Sequence, residues 1–228
     1  MTPFSGATFK VICAGPEPGL LCYALLRRRF ASRTLPFRMK FCSDCGHAVD
    51  QLIPPGDHLP RAVCPSCGTV HYRNPKVVSG CVPIWEGKVL MCRRNIEPRL
   101  GLWTFPAGFL EMDETSAQGA ARETLEESQA EVDITGLLAV INVPYVSQIY
   151  MIYHGSMRSP HHGVTPESSE TRLMSEEEIP WDDIAFPTIW HGLKFFFENR
   201  AKGVQDIHTL DLMTRYGRRP EVTTGSKD

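Results

Sequence analysis

No run in the 228 residues comes near the ~20 consecutive apolar positions that a membrane-spanning helix needs, so the sequence offers no such span. Excess charge is missing too. The 24 Lys and Arg residues nearly balance 26 Asp and Glu, and the net charge of −2 gives no global electrostatic reason to expect nucleic acid or an anionic membrane surface as a partner. There is no internal repeat and no extended low-complexity tract, which argues against repeat architectures. Acidic residues are almost absent from Met1 to Arg38, where Glu17 stands alone against Lys10, Arg27, Arg28, Arg29, Arg33 and Arg38. The apolar run Leu20–Leu26 is followed by arginines rather than preceded by them, the wrong order for a secretory signal. An Arg-rich, acid-poor leader leaves organellar import open. A disordered extension, or upstream sequence ahead of a start at Met39, is the simpler expectation, and it goes with a cytoplasmic location.

What is present is enough apolar content for a core, in a chain longer than the usual domain of roughly 100–150 residues. One domain plus a small module is expected. The divisions read as 1–38 leader or extension, 39–73 small module, 74–200 main domain and 201–228 C-terminal tail.

The small module is marked by Cys42-x-x-Cys45, eighteen intervening residues, and Cys64-x-x-Cys67. Paired thiolates at this spacing suit a tetrahedral Zn²⁺ and form a zinc ribbon. Gly46 and Gly68 follow the second cysteine of each pair, where the knuckle needs a permissive backbone. Two disulfides are the competing reading. The lack of a secretion signal and of any paired framework among Cys13, Cys22, Cys81 and Cys92 disfavours it. Four thiolates leave no open position for water, so the zinc is structural. His47, His58 and His71 are nearby surface residues rather than ligands.

In the main domain, Lys76–Trp85 and Lys88–Arg93 read as a hairpin around Glu86-Gly87. Leu102–Phe105, Val132–Val143, Tyr145–His154 and Glu170–Ser175 are further strands. Pro187–Asn199 is an amphipathic helix with Ile189, Leu193, Phe196 and Phe197 on one side. The chain is organised around Gly108–Ala130. Ala, Leu, Arg, Gln and Glu favour a helix over Thr115–Ser128, capped by Thr115 or Ser116, with Glu114 near its positive end. Ala117, Ala120, Ala121, Thr124 and Leu125 form a narrow buried stripe. Glu123, Glu126 and Glu127 share another face. Like charges so placed destabilise a bare helix by roughly 0.2–0.5 kcal/mol per pair. A hard divalent cation removes that penalty, because Mg²⁺ takes oxygen ligands from a few carboxylates and substrate phosphates. Arg122 can hold Glu114 through a bidentate pair.

The spacing Gly108, five residues, Glu114, seven residues, Arg122-Glu123, two residues, Glu126-Glu127 resembles the Nudix box. Gln129 stands where that family usually has Gly, and Thr124 where it usually has an aliphatic residue. The resemblance covers roughly Asn74–Arg200. It implies an α+β fold, an α/β/α sandwich with a mixed sheet, here preceded by a small zinc ribbon. It also implies hydrolysis of a nucleoside diphosphate linked to another moiety. By the same resemblance Glu123, Glu126 and Glu127 bind Mg²⁺ or Mn²⁺, joined by the backbone carbonyl of Ala107, with Arg122 and Glu114 in support. Several family members carry a further catalytic or metal-binding Glu on the loop matching Gly163–Glu170. Glu167 and Glu170 compete for that place, and Glu170 is taken as the general base. Trp103, Phe105 and Tyr145 are the aromatic candidates for stacking on substrate, with Tyr153 a fourth.

The stretches G-L-W-T-F-P-A-G-F-L-E and E-I-P-W-D-D-I-A-F-P-T-I resemble ribbon-bearing members that act on FAD or ADP-ribose, which would give AMP and a second monophosphate. An NADH-hydrolysing group carries an S-Q-P-W-P-F-P-type motif, and Asn142–Gln148 lacks it. A non-catalytic binding protein is the rival from another class. Lys40, Arg61, Arg73 and Lys76 give the ribbon too little charge for a nucleic-acid partner, and the intact box acids speak against a retired site. A nucleotide-type small molecule is the expected partner, and a homodimer stays open.

Overall fold

The computed structural model describes residues 10–12 and 39–213. The rest of the leader and residues 214–228 of the expected tail lie outside the described residues. Contacts divide the chain into two compact units, Gly15–Asn74 and Met1–Ala14 with Pro75–Asp228. Strand β1, Lys10–Ile12, belongs to the larger unit.

The smaller unit holds a three-stranded antiparallel sheet of β2 (Asp50–Leu52), β3 (Arg61–Val63) and β4 (Val70–His71). Its turn is tied by Asp57, whose carboxylate accepts from the N–H groups of His58 and Leu59 and from Arg61 Nε at 2.8 Å.

The larger unit is a nine-stranded mixed sheet with a helix against each face. It contains β5 (Lys76–Trp85), β6 (Lys88–Arg94), β7 (Trp103–Thr104), β8 (Ala107–Phe109), α1 (Ser116–Ser128), β9 (Val132–Val143), β10 (Gln148–Met157), β11 (Ser168–Met174), α2 (Pro187–Lys202) and β12 (His208–Asp211). The order is β1-β12-β9-β10-β5-β6-β11, with β7 on β6 and β8 on β5. β10 runs parallel to β5 and antiparallel to β9, while β12 lies parallel to β9.

Alternation along the central strands builds the layers, because successive side chains point to opposite faces. Val82, Val89, Met91 and Ile152 join Ile189 and Leu193 of α2 in one core. Their immediate neighbours Cys81, Leu90 and Tyr153 join Ala120 of α1 in the other. The result is the expected α/β/α sandwich.

Helix α1 begins in a full capping box: Thr115 Oγ1 accepts from Gln118 N–H, and Gln118 Oε1 accepts from Thr115 N–H. Its buried residues are Gly119, Ala120, Thr124, Glu127 and Ser128, with Ala117 and Ala121 packed at the margin. Leu125, expected in the stripe, is 49% exposed and projects outward. Tyr145 is not in a strand. Pro144–Val146 coil into a 3₁₀ turn that ends at Ser147 in the left-handed region (φ 55°), and β10 starts only at Gln148. Residues 208–211, inside the stretch expected to be a tail, form a sheet strand because His208, Leu210 and then Leu212 bury against the core while Asp211 faces out.

Candidate functional site

The two Cys knuckles have the same backbone. Gly46 N–H donates to Cys42 O and Gly68 N–H to Cys64 O, and both glycines have positive φ (76° and 77°). The four Sγ atoms lie within 4.8 Å of one another, with Cys42–Cys67 at 3.6 Å and Cys45–Cys64 at 3.4 Å. A tetrahedron with Zn–S near 2.3 Å has edges of roughly 3.8 Å, so the thiol set fits zinc. All six described cysteines are free, which removes the disulfide reading for this quartet. His71 is not a fifth ligand. Its Nε2 sits 3.2 Å from Cys42 Sγ, where it can donate to the sulfur.

The second site is built where β8 meets α1. Arg122 is its hub. Nε and Nη2 grip the two oxygens of Glu114 at 3.0 and 2.8 Å, Nη1 reaches Glu123 at 2.8 Å and Glu126 at 2.9 Å, and Nη2 also donates to Phe109 O. Glu111 N–H donates to Glu114 Oε1 as well. The Arg122 guanidinium, foremost, holds the Glu114 carboxyl down at about 2. Glu114 therefore straps the loop before α1 to the helix.

Glu127 is 7% exposed. Burial, then the Glu123 carboxylate, pushes its pKa up to about 8, opposed by Ala107 N–H, which donates to Oε2 at 3.3 Å. Glu123 is also pushed upward, first by burial, against the pull of Arg122. Glu126 differs. Its side chain is 58% exposed and its carboxylate lies on Arg122. Among the described residues the only three-or-more group of ligand atoms within 4.8 Å is the cysteine quartet, so the three box glutamates do not converge to that distance. Arg122 Nη1 links the Glu123 and Glu126 carboxylates, while the Glu123 charge acts on buried Glu127. The donor set fits a hard cation, since it is all carboxylate and two of its members carry charge that burial disfavours.

Ala107 meets the site through its amide, which donates to Glu127 Oε2. Glu170 does not reach the cluster. A register shift between Ser168 and Glu170 resets the alternation of β11, so Glu170 pairs with exposed Arg93 at 3.6 Å while Thr171 pairs with buried Cys92. Glu167, four residues after Gly163, is the loop carboxylate whose charge bears on both Glu123 and Glu127. Phe105 is fully buried and packs against α2 at Gly192, and Trp103 is nearly as buried, so both are core rather than stacking platforms. Tyr153 donates to or accepts from Ser116 Oγ at 2.6 Å beneath α1. Tyr145 is half-buried at the margin of the core. Arg94, not foreseen from sequence, lies over the Phe186 ring at 5.2 Å and within electrostatic reach of Glu127. A lone Arg at a strand end carries no motif that would have flagged it.

A family model described as Nudix N-terminal matches residues 40–73, and one described as NUDIX domain matches residues 74–191. A crystal structure of a NUDIX hydrolase from Nitrosomonas europaea is 50% identical, covers 77% of this chain and 100% of its own, and has a TM-score of 0.75. The NAD-capped RNA hydrolase NudC of Chromobacterium violaceum is 34% identical over 114 residues, 49% of this chain and 42% of the relative. The phosphatase NudJ of Escherichia coli is 46% identical over 54 residues, 24% of this chain and 35% of the relative. The match thus spans less than half the length of either curated relative.

Proposed function

Because the chain belongs to the Nudix family, we propose that it is a metal-dependent hydrolase of the pyrophosphate bond in a nucleoside diphosphate linked to another moiety. FAD or ADP-ribose is the preferred substrate, giving AMP and a second monophosphate. The observation that carries this reading is the buried Glu127 beside Glu123, a carboxylate pair whose charge is costly without a cation. Glu123 and Glu127 would hold Mg²⁺ or Mn²⁺, with Glu126 joining by leaving Arg122. The bound ion would neutralise the diphosphate and polarise a water. Arg122 and Glu114 fix the loop that bears Gly108 against the helix that carries the glutamates. Glu167, rather than Glu170, is the loop carboxylate offered as proton acceptor, since its charge bears on both Glu123 and Glu127 while Glu170 lies by Arg93.

The proposed divisions are the ribbon over 39–73, with one structural zinc on Cys42, Cys45, Cys64 and Cys67, and the hydrolase domain from 74. A nucleotide is the proposed partner, and the cytoplasm the proposed location. A second reading, cleavage of NADH or of an NAD-type cap, is favoured by the name of the Chromobacterium violaceum relative.

The test is turnover of FAD, ADP-ribose, NADH and diadenosine polyphosphates with Mg²⁺ by the wild type and by Glu127→Gln. FAD or ADP-ribose should be cleaved, and the variant should lose activity on the order of a hundredfold. Equal rates in the two proteins would remove the assigned metal site. Preference for NADH would select the second reading.

A further inference from the structure

We propose that Gln129 is a positioning residue: its side chain latches the Glu167 loop to the end of α1 and so sets Glu167 against the Glu123–Glu127 pair. In kinetic terms this rests on the function proposed above; in structural terms it stands without it.

Gln129 sits in the left-handed region at φ 58°, ψ 10°, a conformation unfavourable for a residue with a Cβ and free for glycine. Its backbone N–H donates to Leu125 O at 2.8 Å, as any residue's would. The distinctive part is the side chain. Nε2 donates to Val164 O at 2.7 Å. The neighbouring loop residue is Gly163, where an added Cβ would lie 2.8 Å from Gln129 Oε1. The missing side chain at 163 makes room for the amide at 129.

The same loop satisfies the last carbonyls of the helix, which have no partner within it. Gly163 N–H donates to Ser128 O at 2.8 Å and Thr165 Oγ1 to Glu127 O at 3.3 Å. Thr165 Oγ1 in turn accepts from the N–H groups of Glu167 and Ser168. From the opposite side Asn95, just past β6, donates through N–H to Glu167 O at 2.7 Å and through Nδ2 to Pro166 O at 3.0 Å. Glu167 is itself exposed. Its approach to Glu127 is therefore set by its backbone, through Thr165, and Gln129 is the α1-side side-chain amide holding that loop. If Gln129 only ended the helix, Gly would serve better and Glu167 would not notice.

Two readouts decide. The first is hydrogen exchange of the 163–168 amides in Gln129→Gly and Gln129→Met. Gly removes both the latch and the backbone cost, while Met keeps the length and loses the donor. Exchange should quicken about tenfold in both, with Gln129→Gly melting no lower than wild type. The second is a double-mutant cycle with Glu167→Gln on whichever substrate the wild type turns over. Gln129→Gly should lower kcat about tenfold with KM within about twofold, and change kcat less than about twofold when Glu167 is already Gln. Unchanged exchange in both variants, or the same loss of kcat in both backgrounds, overturns the latch. Absence of any turnover, or full activity of Glu127→Gln, would count against the enzymatic reading instead, and exchange alone would then decide the latch.

Discussion

The carboxyl group of Glu123 occupies the space above Gly108 that a side chain would need: a Cβ built at Gly108 would fall 2.3 Å from that carboxyl carbon and both its oxygens. Gly108 is therefore present for close approach rather than for an unusual turn, and its φ is not positive. It lies in β8 against Ser79 of β5, so its backbone cannot retreat freely.

Gly108→Ala should displace Glu123 from Arg122 and from Glu127. The expected result is a protein that folds, melts close to wild type and loses at least about tenfold in activity or Mn²⁺ affinity, as when a metal ligand is misaligned. Wild-type Mn²⁺ binding by this variant would contradict the placement of Glu123.

Glu127 makes the metal-free protein sensitive to pH. Its ordinary pKa is 4.5, and the folded value lies at about 8. Between those values the folded state keeps a proton that the unfolded chain has released. The contribution of Glu127 to stability without metal should be fully present below about 4.5, fall as pH rises through that window and level off above about 8. Thermal melts in chelator should show Glu127→Gln matching wild type near pH 5 and exceeding it near pH 8.5. Parallel curves would mean that Glu127 does not hold the proton. Mg²⁺ binding to wild type near neutral pH should release a proton, visible by calorimetry in buffers of different ionisation enthalpy.

The ribbon has almost no apolar interior. Between residues 40 and 73 the buried apolar residues are Cys42, Pro54, Ala62 and Cys64. Metal coordination therefore has to supply most of its cohesion. Freshly purified, reduced protein should contain about one zinc per chain. Cys64→Ser should expose 39–73 to limited proteolysis. Elemental analysis finding no zinc, or an unchanged proteolysis pattern in the variant, would refute the site.

The parts legible in the sequence are those written locally. The cysteine pairs, the Arg122–Glu114 pairing and the strands β5 and β9 follow from spacing and alternation within a short window. The parts missed depend on distant partners. His208–Asp211 is a four-residue strand in polar surroundings, and only its pairing with β9 and β1 reveals it. The choice between Glu167 and Glu170 turns on a one-residue irregularity in β11 that no periodicity announces. Trp103 and Phe105 sit beside the box in sequence, yet both pack into the core layer that α2 covers. Leu125 lies at the margin of the stripe's helical phase and stays 49% exposed.

Cys81 and Val82, like Leu90 and Met91, are chain neighbours assigned to opposite oily layers. The central sheet is thus a shared wall whose two sides are wired to odd and even positions. Deleting or inserting a single residue within β5 or β6 would exchange both sides at once, turning every inward contact outward. Length variation tolerated by this protein must accordingly fall between strands or be absorbed by bulges such as the one before Glu170.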